Sequence, residues 1–169
     1  MTLEQPLAVR PPRTLAEAAE AHLDDVLGYL LYLTRDREAA EDLASSTFEK
    51  AVRLWARFDP SRGTARTWLL GIARTTALDW FRAESRRRKR EEAAALPDRV
   101  DEAFVEGLSP ALEAGLASLS AGEREVLVLR IVLELDGDAT ARVLGISPTA
   151  VSTRLSRALK RLEERVNEG

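Results

Sequence analysis

Residues 137–162 read GDATARVLGISPTAVSTRLSRALKRL, and within them Thr149, Ser152, Thr153, Arg154, Arg157 and Lys160 recur at spacings that one helix face would gather. Hydroxyl groups can meet phosphates or base edges, and arginine can grip phosphate or guanine with two parallel N–H groups. A second set lies in residues 64–88, where Thr67, Gly71, Arg74, Thr75, Asp79, Arg82, Ser85 and Arg86 fill one arc of a helical wheel and Trp68 falls on that same polar arc. A tryptophan beside arginines suits stacking on unpaired bases over a surface that neutralises their backbone, and Gly71 would let a strand approach closely. Each set also has a plainer reading. The first could be a helical hairpin with a solvated basic face, and Trp68 could be core like its neighbours Trp80 and Phe81.

Other chemistries find little support. The chain has no cysteine, so no disulfide or thiolate metal site is possible. His22, Asp24 and Asp25 stand too close in sequence to converge on one helix face, so no metal is expected and no cofactor is called for. No nucleophile–base pair, phosphate loop or paired-carboxylate site stands out. The hydroxyls of Ser45, Ser46 and Thr47 read most simply as surface or packing groups. An enzyme acting on a small-molecule substrate is not indicated.

The first set needs a particular frame. Asp136 can cap a short helix from about Gly137 to Leu144, because its carboxylate accepts from the free amides at a helix start. Ala141 is small where two helices must cross. Gly145 suits the left-handed backbone of a tight turn. Ile146 and Val151 would point into the angle between the helices, Ser147 would cap the second, and Pro148 takes its first position at no loss of a hydrogen bond. This is the helix-turn-helix pattern, whose second helix lies in a DNA major groove.

Upstream, apolar residues at spacings of three and four predict a helix from about Leu15 to Asp36. A second is predicted over 37–56, with Ala40, Leu43, Ala44, Thr47, Phe48, Ala51, Val52 and Trp55 as its apolar stripe. FDPSRG at 58–63 turns the chain through Pro60 and Gly63. A third helix is predicted over 64–88, its apolar arc formed by Leu69, Leu70, Ile72, Ala73, Thr76, Ala77, Trp80 and Phe81. Further helices are expected in ALEAGLASL and GEREVLVLRIVLEL. There is no strand alternation and no repeat. The expectation is an all-α chain: a disordered tail at 1–14, a helical domain at 15–90, a linker at 91–110 and a second helical domain at 111–169 containing the helix-turn-helix. VDEAFVEGL, inside the linker, could hold a short helix.

Composition agrees with a folded, helix-rich protein: 169 residues, 45% hydrophobic, 31% charged and 5% aromatic. The net charge of −3 hides a pattern. RAESRRRKR at 82–90 holds six basic residues against one acid, residues 148–161 hold Arg154, Arg157, Lys160 and Arg161 against none, and residues 91–113 hold seven acids against Arg99 alone. Two basic surfaces flank an acidic joint. The N-terminus lacks a signal-peptide core and no apolar run approaches a membrane span, so a cytoplasmic protein without membrane insertion is expected.

Two long blocks resemble one family. REAAEDLASSTFEKAVRLWARFDPSRGTARTWLLGIARTTALDWFR resembles the promoter-melting domain of extracytoplasmic-function sigma factors, the small members of the bacterial sigma-seventy family. LSAGEREVLVLRIVLELDGDATARVLGISPTAVSTRLSRALKRL resembles their C-terminal domain. Together they span about residues 20–90 and 112–165, in the family's order. The resemblance implies a non-catalytic initiation factor that docks on core RNA polymerase and recognises promoter DNA. It also implies that an anti-sigma factor holds it inactive, and that the acidic linker mimics nucleic acid within the polymerase.

By position, the resemblance places Asp42, Ser45, Ser46, Phe48 and Glu49 on the helix that binds the polymerase clamp. Asp59, Ser61, Arg62, Gly63 and Thr64 fall on the loop that pockets a flipped base of the minus-ten element. Trp68, Arg74, Thr75, Asp79, Arg82 and Arg86 fall on the helix that tracks the single strand. Ser147, Thr149, Ser152, Thr153, Arg154 and Arg157 fall on the helix that reads the minus-thirty-five duplex. Family members usually have a glutamine and an acid at Ser45 and Ser46, asparagine at Thr75, lysine at Ser152 and an aliphatic residue at Thr140. The last change is expected to loosen packing slightly. Rival readings are a free-standing helix-turn-helix regulator and a polymerase-binding scaffold that does not read DNA.

Overall fold

The computed structural model describes residues 12–91 and 109–168, and every regular element among them is helical. Helix α1 (Leu15–Thr34) starts where the Thr14 hydroxyl accepts from the Glu17 N–H, and it ends at Arg35 in the left-handed region at φ 52°. Asp36 caps α2 (Arg37–Leu54) by accepting from the Ala39 N–H, and α2 runs into a tighter 3-10 turn, Trp55–Arg57. The Thr64 hydroxyl accepts from the Thr67 N–H at 3.1 Å and opens α3 (Ala65–Glu91). The three helices pack through Val26, Tyr29 and Leu30 on α1, Leu43, Ala44 and Ala51 on α2, and Leu69, Leu70 and Ala73 on α3. Thr47 is fully buried on α2 and is tolerated there because its hydroxyl donates to the Leu43 carbonyl at 2.7 Å.

Two residues assigned to apolar stripes leave them. Val52 is 67% exposed: it stands one residue past Ala51, and that step around the helix carries it off the buried stripe. Phe81 is 37% exposed because α3 has no buried residue beyond Ala77, and its ring rests edge-on against Trp80 at 5.0 Å. Trp80 does pack against the core, and Thr67, placed on the polar arc, is buried.

Among the described residues the second unit has four α-helices: α4 (Pro110–Ser118), α5 (Ala121–Leu127), α6 (Gly137–Leu144) and α7 (Pro148–Asn167). The continuous run expected over 122–135 is instead α5 followed by a widened π-helical turn, Val128–Val132, and a bend in which Glu134 takes φ 54°. Ser120 and Glu123 form a capping box at the start of α5. Glu123 is buried, and the Ser120 N–H that its carboxylate accepts holds its pKa below the usual carboxylate value; Arg161 adds an ion pair at 3.0 Å. Buried Gly115 lets α4 cross close to α7, since a Cβ there would stand 3.0 Å from Leu162 Cδ2.

The helix-turn-helix forms as its residues require. Asp136 accepts from the Ala139 N–H at 2.7 Å, Gly145 takes φ 65°, and the Ser147 hydroxyl accepts from the Ala150 N–H at 3.1 Å. Ala141 and Val151 are buried in the angle, with Ile146 packed against them from the turn. The two units do not stand apart. One apolar cluster runs from Leu69, Leu70 and Ala73 of α3 into Leu129, Leu133 and Ala141 of the second unit, and α3 lies against α6. The acidic joint, the possible helix in VDEAFVEGL and most of the N-terminal tail lie outside the described residues.

Candidate nucleic-acid interface

The loop before α3 and the first turns of α3 enclose a cleft of about 360 Å³. Its loop side is Phe58, Asp59, Arg62, Gly63 and Thr64; its helix side is Trp68, Gly71 and Thr75, with Arg57 at the edge. Asp59 organises the loop: its carboxylate accepts from the Ser61 N–H at 2.9 Å and the Ser61 hydroxyl at 2.7 Å. Those bonds, the hydroxyl first, hold the Asp59 pKa below its ordinary value and keep it anionic. Trp68 settles between its two sequence readings. It is half-buried, in ring contact with Phe58 at 5.3 Å and Trp55 at 5.7 Å, and still borders the cleft. Neighbouring rings therefore hold the indole in place beside open space. Gly71 adds to that space, since a Cβ built on it would meet nothing within 4 Å.

The structure thus gathers Asp59, Arg62, Gly63, Thr64, Trp68 and Thr75 around one cleft, with Ser61 behind Asp59. The rest of the proposed set extends along α3. Asp79 and Arg82 are exposed and paired at 3.2 Å, and Arg86 is exposed one turn further on. Arg74 departs from the expected free arc. Its Nε donates to Glu125 Oε1 of α5 at 2.8 Å and its Nη2 to Oε2 at 3.4 Å. Burial works against the Arg74 charge, but this ion pair outweighs burial and raises its pKa above the ordinary value. The Tyr29 hydroxyl donates to the same Oε1 at 2.5 Å. Burial, followed by the Glu125 charge, pushes the Tyr29 pKa well up, so the phenol stays protonated.

On α7, Thr149, Ser152, Thr153 and Arg157 are exposed on one face, while Ser147 is engaged as the cap. Arg154 is half-buried beside the start of α5, close enough that a Cβ on Gly122 would lie 3.3 Å from its Nη1. On α2, Asp42, Ser45 and Glu49 are exposed, Ser46 is half-buried, and Phe48 turns partly into the core. Exposed Val52 continues the same face, one turn beyond Glu49.

Residue types and spacing missed three side chains at this interface: Glu125, Tyr29 and Arg142. Arg142 of α6 reaches the cleft from the second unit, its Nη1 donating to the Arg62 carbonyl at 2.8 Å. All three act across 50 to 100 residues of sequence, where no local periodicity signals a partner. His22 is half-buried, and burial lowers its pKa. Its neighbour Asp25 pairs with Arg66 at 2.6 Å, and among the described residues no group of three or more acids or histidines is placed to hold a metal ion. No described helix is long and apolar enough to cross a membrane.

Comparison with known proteins agrees with this arrangement. The family description Sigma-70 region 2 matches residues 18–87, and Sigma-70, region 4 matches residues 109–162. The chain is 33% identical to the RNA polymerase sigma factor YlaC of Bacillus subtilis, across 86% of this chain and 87% of that protein. It is also 33% identical to the ECF RNA polymerase sigma factor SigC of Mycobacterium tuberculosis, across 86% of this chain and 80% of that protein. In fold it resembles the sigma factor RpoE of Bartonella quintana, solved with the anti-sigma factor NepR. That match has a TM-score of 0.73 and 22% identity over 90% of this chain and 96% of the other. The chain belongs to the sigma-70 family, a family of regulatory rather than enzymatic proteins, and within it is an alternative sigma factor of the extracytoplasmic-function group.

Proposed function

We propose that the chain directs core RNA polymerase to promoters by gripping DNA at two points. A domain at 15–90 docks on polymerase through the α2 face of Asp42, Ser45 and Glu49, with Ser46 and Phe48 at its margin. The cleft and α3 capture the opened minus-ten strand. A domain at 111–169 lays α7 in the duplex at the minus-thirty-five element, and the acidic segment 91–110 joins the two within polymerase. The protein works in the cytoplasm, where polymerase is, and an anti-sigma factor is its natural inhibitor, the class of partner with which the Bartonella sigma factor was solved.

The cleft carries this reading. Its wall is an indole steadied by two other rings, its rim carries hydroxyls and guanidinium groups, and its helix keeps an interior glycine that no packing in the chain requires. An uncrowded mid-helix glycine weakens the helix by roughly 1 kcal/mol relative to alanine, and a strand passing at that point accounts for it. Stacking, pocketing and backbone neutralisation are together the chemistry of single-strand capture.

The duplex half is tested by transcription in vitro with core polymerase on a panel of promoter variants. Arg154→Ala and Arg157→Ala are expected to flatten discrimination at the minus-thirty-five positions, by ~1–3 kcal/mol per lost base contact. Both variants should still assemble with polymerase at unchanged affinity. Equal losses of selectivity and assembly would refute the assignment of these residues to DNA.

A further inference from the structure

The two oxygens of the Asp59 carboxylate are differently placed. Oδ1 accepts both the Ser61 N–H at 2.9 Å and the Ser61 hydroxyl at 2.7 Å, and that one oxygen is all the turn requires. Asparagine would brace the same turn with its carbonyl oxygen. Oδ2 has no hydrogen-bond or ion-pair partner among the described residues, although it belongs to an exposed side chain on the wall of the cleft. An unpaired anion repels the phosphates of an arriving strand, so its presence there needs a compensating contact with something else the strand carries. Thr75 on the helix side adds a second acceptor: its hydroxyl proton is committed to the Gly71 carbonyl at 2.9 Å, leaving only lone pairs for a ligand. The cleft's charged donors, Arg57 and Arg62, are guanidinium groups, whose planar fork suits phosphate.

We infer that Asp59 reads the base that enters the cleft: Oδ2 accepts from an exocyclic amino group, so the cleft takes an amino base, adenine or cytosine, and rejects thymine. This selection rests on the cleft being where a base of the opened strand is received. Adenine N6 and cytosine N4 are donors, whereas thymine presents the keto oxygen O4. Pressing that oxygen against a carboxylate desolvates two acceptors with no proton between them, which is costly in an enclosed site. Guanine carries both a keto oxygen and an amino group, and falls between. The aromatic wall does not discriminate, because every base offers a π-face to Trp68. Stacking holds the base and Asp59 chooses it. The choice persists at neutral pH, since the bonds from Ser61, its hydroxyl foremost, hold the Asp59 pKa below the ordinary value and keep the carboxylate an acceptor.

The test uses the full chain assembled with core polymerase, on copies of one promoter it transcribes, randomised across the minus-ten element. Templates held in open complexes are recovered and sequenced. The parent is expected to disfavour thymine against adenine or cytosine about tenfold at one position, within the usual cost of one mismatched base pair. Asp59→Asn keeps the oxygen that Ser61 needs and turns the other acceptor into a donor. At that same position thymine should then gain about tenfold relative to adenine and cytosine. Asp59→Ala, which offers neither group, should lose the selection there without favouring thymine. A parent indifferent to thymine at every position overturns the inference. So does an Asp59→Asn chain that keeps the parent's profile, or that lowers recovery of all sequences alike, since Asp59 would then be only the brace of its loop. If the parent selects no base anywhere in the element, strand capture by the cleft falls first, and this inference with it.

Discussion

Thr140 shows how one hydroxyl can matter in a small core. Its side chain is fully exposed to nothing but protein, at 0% accessibility, and its Oγ1 is the one buried side-chain polar atom without a hydrogen-bond partner among the described residues. The sequence led to an expectation of slightly loosened packing. The structure shows a further effect: the residue is fully buried and its hydroxyl is stranded. An orphaned buried hydroxyl costs about 1–3 kcal/mol, and valine has nearly the same shape without it. Thr140→Val is therefore expected to raise unfolding stability by ~1 kcal/mol, read from the urea midpoint at an unchanged slope. A lowered midpoint would mean that the hydroxyl does find a partner in solution.

The elements show where local chemistry is enough and where it is not. Asp136, Gly145, Ser147 and Pro148 each act on backbone groups within a few residues, so the helix-turn-helix was legible to the residue. The arc of Trp68 and its neighbours was legible as well, because helical periodicity alone puts them on one side. Val52 and Phe81 were not, since which edge of an apolar stripe stays covered depends on how far the neighbouring helices reach. Nor was the partner of Arg74, 51 residues away on α5. Gly115 belongs to this second group: as a residue inside a helix it gave no signal, yet the crossing of α4 over α7 depends on it. A Cβ there would stand 3.0 Å from Leu162 Cδ2 and 3.6 Å from Arg165 Cβ. Gly115→Val is expected to destabilise the chain by ~1–3 kcal/mol through overpacking, seen as a lower melting temperature. An unchanged melting temperature would mean that α4 is free to move off α7.

For the whole molecule the distribution of charge matters more than its sum. A chain of net charge −3 keeps basic groups on the outer half of α3 and along α7, the two surfaces assigned to DNA. The packing of the two units then sets how those surfaces are presented: Thr149, Ser152, Thr153 and Arg157 of α7 are exposed, Arg154 is half-buried, and Arg142 of α6 reaches over the cleft. Trp68 is central to the proposed grip, in which an indole steadied by neighbouring rings beside the cleft would make strand capture favourable once the duplex opens. The most direct test compares Trp68→Ala with the parent chain, each assembled with core polymerase and its folding checked by circular dichroism. Closed-complex binding to duplex promoter and strand opening, followed by permanganate reactivity, are measured separately. The expected result is duplex binding within a factor of about two and strand opening reduced about tenfold, since stacking on an aromatic side chain contributes ~1–3 kcal/mol per base. Undiminished strand opening, or an equal fall in both steps, would contradict the assignment of Trp68 to the captured strand.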